Sequence, residues 1–257
     1  MLKHTGVRRT HIHNVRLATL LSLTAGLVNA AGFLGFSILT TNVTGHAALF
    51  AESVSLKDWR TSGVIALWMS MFLAGAFLSG FIIDKIGRDQ RYSYSIPLLL
   101  ELGILVTIAI IGNYYKSRLH YRQAFAGTLL LAMGMQNALV SVISRSVVRT
   151  THLTGTFTDL GIELARLATG RGKDNTELRP QITLKVIIIL SFITGAVAGA
   201  YAFRAVHFYS FYLPAFSLVY ALLYDVFRVN VKWYYRKIGK SIKKVTLASH
   251  HEEYNKR

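Results

Sequence analysis

Apolar residues arrive along this chain in blocks of about twenty, divided by short polar interruptions. The blocks run Leu17–Leu39, Ser62–Ile83, Tyr92–Gly112, Gln123–Ser144, Ile182–Phe203 and Phe208–Phe227. At a rise of about 1.5 Å per residue, each reaches across a hydrocarbon core roughly 30 Å thick. The pattern predicts an all-α membrane protein with six transmembrane helices. Between the blocks lie a polar head at residues 1–16, a loop at 113–122, one long connection at 145–181 and a basic tail at 229–257.

One short string occurs twice. Thr40-Thr41-Asn42-Val43-Thr44-Gly45-His46 has a counterpart 110 residues on, in Thr150-Thr151-His152-Leu153-Thr154-Gly155. Each copy follows a long apolar block and opens a shorter apolar-periodic one, so a short helix is expected after each. Hydroxyl side chains before a helix act as caps, and glycine lets a backbone bend or approach a ligand closely. Further matches follow in the same order. Leu27-Val28-Asn29-Ala30 pairs with Met135-Gln136-Asn137-Ala138, Phe72–Ala76 with Phe192–Ala196, and Tyr94–Pro97 with Phe211–Pro214. The chain therefore reads as two repeats, 17–112 and 123–228, the second containing the connection 145–181. Three crossings per repeat invert the second copy relative to the first, as in many secondary transporters. If the two breaks dip into the bilayer, two helix N-termini point inward from opposite faces and suit anions or carbonyl oxygens. Otherwise both motifs are capped turns at the membrane surfaces.

Charge sets the orientation. The 257 residues are 52% hydrophobic and 16% charged, with a net charge of +17. That excess could suggest nucleic acid, but its distribution matches cytoplasmic loops. With the N-terminus inside, 22 of the 29 Lys and Arg fall in inner segments and 6 in outer loops, with Lys185 in the fifth block. Both termini are expected in the cytoplasm. There are no cysteines, so disulfides and thiolate metal sites are excluded.

Gly26-Leu27-Val28-Asn29-Ala30-Ala31-Gly32-Phe33 with Thr41–Gly45, and Gly134–Ala138 with Arg149–Glu163, resemble the two halves of the DUF1275, or YoaK-like, family of bacterial membrane proteins. The resemblance implies a multi-pass protein of the bacterial inner (plasma) membrane. It carries no activity, substrate or catalytic residue. Many members are similar but have Asp at the position of Asn29 and Asn at that of His46.

Polar groups inside apolar blocks are the remaining signal, because the bilayer makes them costly. Glu101 falls near the middle of the third block with no Lys or Arg at similar depth. It is either a proton-relay or cation site, or a neutral hydrogen-bonding strut to Asn29, Gln136 or Asn137. After the second motif, Phe157, Leu160, Leu164 and Leu167 share one helical face, predicting an amphipathic helix along the inner interface or packed into the bundle. Asp159 and Glu163, four apart, could ligate a cation together, or be solvated or paired with arginines. His46 and His152 sit in the two motif copies, but inverted halves place them on opposite sides, so no metal site is expected. Asp225 and Arg228 are in reach of a local ion pair. Small residues at Gly75-Ala76…Ser79-Gly80 and Gly195-Ala196…Gly199-Ala200 predict close packing between the halves, or between protomers of a homo-oligomer. The aromatic and basic tail, Lys232 to Val245, suits an anionic inner leaflet better than nucleic acid.

No Walker loop, nucleophile elbow or His-Glu-x-x-His helix is present. An enzyme, a catalytic residue and a cofactor are therefore not expected. Two readings remain. One is a small secondary transporter or permease for an unknown small molecule, its site at the repeat interface. Asn29, Thr41, Thr44, Gly45, His46, Glu101, Gln136, Asn137, Thr151, His152, Thr154, Gly155, Asp159 and Glu163 would supply its lining. The other is a non-transporting membrane scaffold or regulator that uses a basic cytoplasmic surface.

Overall fold

A computed structural model describes residues 11–87, 90, 92–115, 119–144, 146–170 and 175–224. The described residues are helical, with no strand among them: α1 His11–Phe36, α2 Val43–Ser55, α3 Trp59–Ile86, α4 Ser95–Tyr115, α5 Leu119–Ser144, α6 Leu153–Ala168 and α7 Asn175–Val206. A 3-10 turn at His207–Phe211 leads into a last helix, α8, at 212–224. The head at 1–10, Asp225, Arg228 and the basic tail lie outside the described residues.

Helix ends have local causes. The Asn42 side chain caps α2 by accepting from the Gly45 amide. Asp58 caps α3 by accepting from the Thr61 amide and hydroxyl, and the hydroxyl does most to hold its carboxyl below the usual range. Pro97 and Pro214 each fall in the first turn of their helix, where a missing N–H costs nothing. Left-handed residues terminate the long helices: Ser37 after α1, Gly87 after α3, Ser146 after α5 and His207 after α7. Only one of those four is glycine.

Five helical stretches are long and apolar enough to cross a membrane: Asn14–Phe36, Trp59–Ile86, Ser95–Tyr114, Tyr121–Ser144 and Leu178–Tyr224. The fifth, at 47 residues, contains a reversal. α7 runs alongside α1 in the same direction, with Gly195 against Leu23, Gly199 against Leu27 and Gly35 against Phe203. α8 runs back the other way. Its Ser217 hydroxyl lies 2.6 Å from that of Thr24, and its Tyr224 hydroxyl accepts from Arg16 at 2.6 Å. The fifth and sixth apolar blocks are thus separate antiparallel helices joined at His207.

Glycine lets two helix pairs touch backbone to backbone. A β-carbon on Gly26 would stand 2.1 Å from the Phe192 carbonyl oxygen, and one on Gly195 would stand 2.2 Å from that of Leu23. The same contacts recur between α5 and α3. Gly134 would meet the Phe72 carbonyl at 2.1 Å, and Gly75 the Leu131 carbonyl at 2.0 Å. Gly26 and Gly134, like Leu23 and Leu131, are 108 residues apart; Phe72 and Phe192, like Gly75 and Gly195, are 120 apart. α1 and α5 cross in opposite directions at the centre, where Gln136 donates to the Leu21 carbonyl and Leu129 lies against Gly32. The small-residue expectation needs one correction: a β-carbon on Gly80 would meet nothing within 4 Å, while neighbouring Ser79 is buried.

Candidate functional site

Each repeated motif turns the chain back into the bundle. After α1 ends at Phe36, the left-handed Ser37 reverses the backbone and brings Thr41 beside Asn29. The Asn29 side-chain oxygen accepts from the Thr41 hydroxyl at 3.0 Å and from its amide at 3.3 Å. Asn29 lies seven residues before the end of α1, so the chain has returned by about 10 Å. In the other copy, the Asn137 oxygen accepts from the Thr151 hydroxyl at 2.6 Å, again seven residues before the helix end at Ser144. Asn29 and Asn137 sit on opposite sides of the α1–α5 crossing. Each bracket thus starts a short helix inside the bundle.

Those helices then climb out. α2 lies antiparallel to α3: its His46 ring packs 6.0 Å from Trp68 and its Ser53 hydroxyl lies 2.8 Å from that of Ser62. At 13 residues it spans about 20 Å, short of a crossing. α6, with 16 residues, is tied to α7 by an ion pair between Glu163 and Lys185. Ser53 and Glu163 are 110 residues apart, as are the two motifs. Both short helices begin beside the Asn–Thr brackets, inside the ends of α1 and α5.

The expected site residues divide into those the structure brings together and those it does not. Asn29 with Thr41, and Asn137 with Thr151, form the two brackets. Thr44 and Thr154 stand exposed in the first turns of α2 and α6. Gly45 and Gly155 share those turns and have no left-handed backbone. A β-carbon on Gly45 would touch only Asn42 at an ordinary 3.5 Å, and one on Gly155 would press on the His152 ring at 2.7 Å. The bend expected at these glycines lies at Ser37 and Ser146 instead. His46 is buried with its Nε2 on the Leu39 carbonyl, whereas His152 is exposed and its side chain makes no cap bond.

The acids part company too. Asp159 is exposed and Glu163 is buried against Lys185, so the two do not form a shared cation site. Among the described residues no group of three or more His, Asp or Glu converges. Phe157, Leu164 and Leu167 are exposed, and α6 turns Thr156 and Glu163 inward. Its apolar stripe therefore faces away from the bundle. Glu101 is fully buried, but neither carboxyl oxygen has a hydrogen-bond partner among the described residues. The strut to Asn29, Gln136 or Asn137 is absent, since those three bond Thr41, Leu21 and Thr151. The side-chain oxygen of Gln136 is likewise unpartnered among the described residues.

Residue-level reasoning missed several groups. Thr40 and Thr150 precede the brackets, and both hydroxyls are buried without a partner among the described residues, as are those of Ser22 and Ser79. Thr40 and Thr150 stand in the motif and could have been found by its spacing; Ser22 and Ser79 carry no such signal.

Comparison with known proteins places the chain in a family. A sequence model of the family described as "Protein of unknown function (DUF1275)" matches residues 17–224. The chain is 24% identical over 195 residues to the UPF0700 transmembrane protein YoaK of Bacillus subtilis (strain 168), covering 72% of this chain and 82% of that one. No solved structure matches significantly. With its apolar helices and a match running from Leu17 within α1 to the end of α8, this membrane protein belongs to the DUF1275 family.

Proposed function

We propose that the chain is a small secondary transporter or permease of the bacterial plasma membrane, built from two inverted three-helix repeats and catalysing no chemical change. Its path for a small molecule runs between α2 and α6. The observation that carries this reading is the twofold Asn–Thr bracket, Asn29–Thr41 and Asn137–Thr151, each starting a half-helix from the opposite side of the α1–α5 crossing. Half-helices that begin inside a membrane protein present unpaired amides and a positive dipole end where a substrate can reach them. Opposed orientation is supported by the parallel pairs α1–α7 and α3–α5 and the antiparallel crossing of α1 with α5. The 22-to-6 division of Lys and Arg supports a cytoplasmic placement of both termini and of the α6 side.

Polarity in the centre is not symmetric. Glu101 and Gln136 have Leu218 and Val28 at the equivalent positions, both buried and apolar. A packing scaffold gains nothing from unpartnered polar atoms such as those of Glu101 in the first repeat and Gln136 in the second, since each costs about 1–3 kcal/mol. A path that has to hold a solute does.

The test is a thermal-shift screen of the purified protein against small anions, amino acids and sugars. A ligand at a hundred times its Kd should stabilise the wild type by about 2.7 kcal/mol. Thr44→Val and Thr154→Val keep volume and remove a hydroxyl at each half-helix start, so both should weaken that stabilisation. A wild type that no compound stabilises, or a ligand indifferent to both substitutions, would leave the non-transporting scaffold as the better reading.

A further inference from the structure

The two half-helices occupy equivalent places but are held by different chemistry. α2 is fixed at its start by the Asn42 cap, in its first turn by the His46 ring on the Leu39 carbonyl, and near its end by the buried Ser53–Ser62 hydroxyl pair. Only Leu56, Lys57 and Asp58 separate it from α3, and the Asp58 amide donates back to the Ser53 carbonyl at 2.9 Å. α6 lacks most of this. His152 supplies no side-chain cap, and Thr156, which stands where α2 has His46, bonds the His152 carbonyl of its own turn. Beyond the Asn137–Thr151 bracket, the polar tie between the body of α6 and α7 among the described residues is the Glu163–Lys185 pair.

An ionic tie behaves differently from a neutral one. Desolvation of both charges offsets much of the attraction while the pair is closed, and hydration compensates both charges when it opens. The pair here is also imperfect: the second Glu163 oxygen is buried without a partner. The closed state therefore bears a cost that opening into water relieves. The Ser53–Ser62 pair carries no charge for water to reclaim.

We infer that Glu163 and Lys185 form an ionic latch, and that α6 is the half-helix that swings while α2 stays fixed. Opening pivots on the Thr151 bracket and frees the α6 end that carries Glu163. The exposed stripe of Phe157, Leu164 and Leu167 stays away from the bundle in both positions, so the motion buries or uncovers little apolar surface on that face. This inference needs the packing of the half-helices but not transport, so a failed ligand screen and a failed latch are separate results.

Hydrogen exchange of the full-length purified protein tests it, because local opening is read directly from amide exchange. In the wild type, α6 amides should exchange faster than those of α2. Glu163→Gln and Lys185→Met should each speed exchange in α6 by about fivefold or more, with α2 and α7 unchanged. The double exchange Glu163→Lys with Lys185→Glu restores opposite charges and should slow α6 again. Ser53→Ala should change α2 by no more than about twofold. Unchanged α6 exchange in both single variants overturns the latch. So does loss of protection throughout α7 in them, which makes the pair a support of the fold, or α2 opening as readily as α6 in the wild type.

Discussion

At the scale of single residues, serine does the work expected of glycine. Ser37 and Ser146 hold φ of 60° and 62°, where a β-carbon crowds the backbone, and both return the chain into the bundle. Ser37→Gly should therefore keep or raise the melting temperature, whereas the β-branched Ser37→Val should destabilise by roughly 1–2 kcal/mol. Thermal unfolding in detergent separates the two, and equal losses from both would show that the serine hydroxyl matters more than its backbone. This explains why the bend was misplaced from sequence. The motif glycines were visible, while a serine in a left-handed conformation has no distinctive signature. The brackets were better encoded. Asn29, Asn137, Thr41 and Thr151 all stood in the matched strings, although spacing alone could not show that Asn and Thr meet.

At the scale of elements, the helices were legible and their ends less so. Apolar blocks placed all the long helices, but α7 starts at Asn175, about two turns before its apolar block, and α3 runs on to Ile86, just past its own. Hydrocarbon length limits the block, whereas the helix continues into polar surroundings for as long as its backbone can pair. Small residues predicted close packing without telling which glycine does it. The structure separates them. Gly134→Ala and Gly26→Ala place a β-carbon 2.1 Å from a carbonyl oxygen, so the helices must part, at a cost of about 3 kcal/mol or more. Gly63→Ala and Gly80→Ala meet nothing within 4 Å and should be neutral or slightly stabilising. Melting of the four variants checks the contrast, and a similar loss in all of them would contradict the α1–α7 and α3–α5 contacts.

At the scale of the whole molecule, the proposed repeat is a statement about packing partners. α1 lies parallel to α7 and α5 parallel to α3, through glycines at matching positions. Neither half closes this packing alone. Sequence matching suggested the duplication, yet it could not reveal that α1 takes α7 rather than its own neighbour. That choice depends on contacts distant in the chain. Lys185 shows the same limit: counted in sequence as one stray charge, it proves to be the partner of Glu163.

Inverted placement of α2 and α6 is the central claim, and the chain's lack of cysteine allows a direct measurement. Lys57→Cys, just after α2, and Gly170→Cys, just after α6, are made singly and treated in intact cells with a membrane-impermeant maleimide. The account predicts labelling of the Lys57 variant from outside, and labelling of the Gly170 variant only after the cells are opened. Both positions labelled from the same side would place the two half-helices on one face and contradict the inverted repeat.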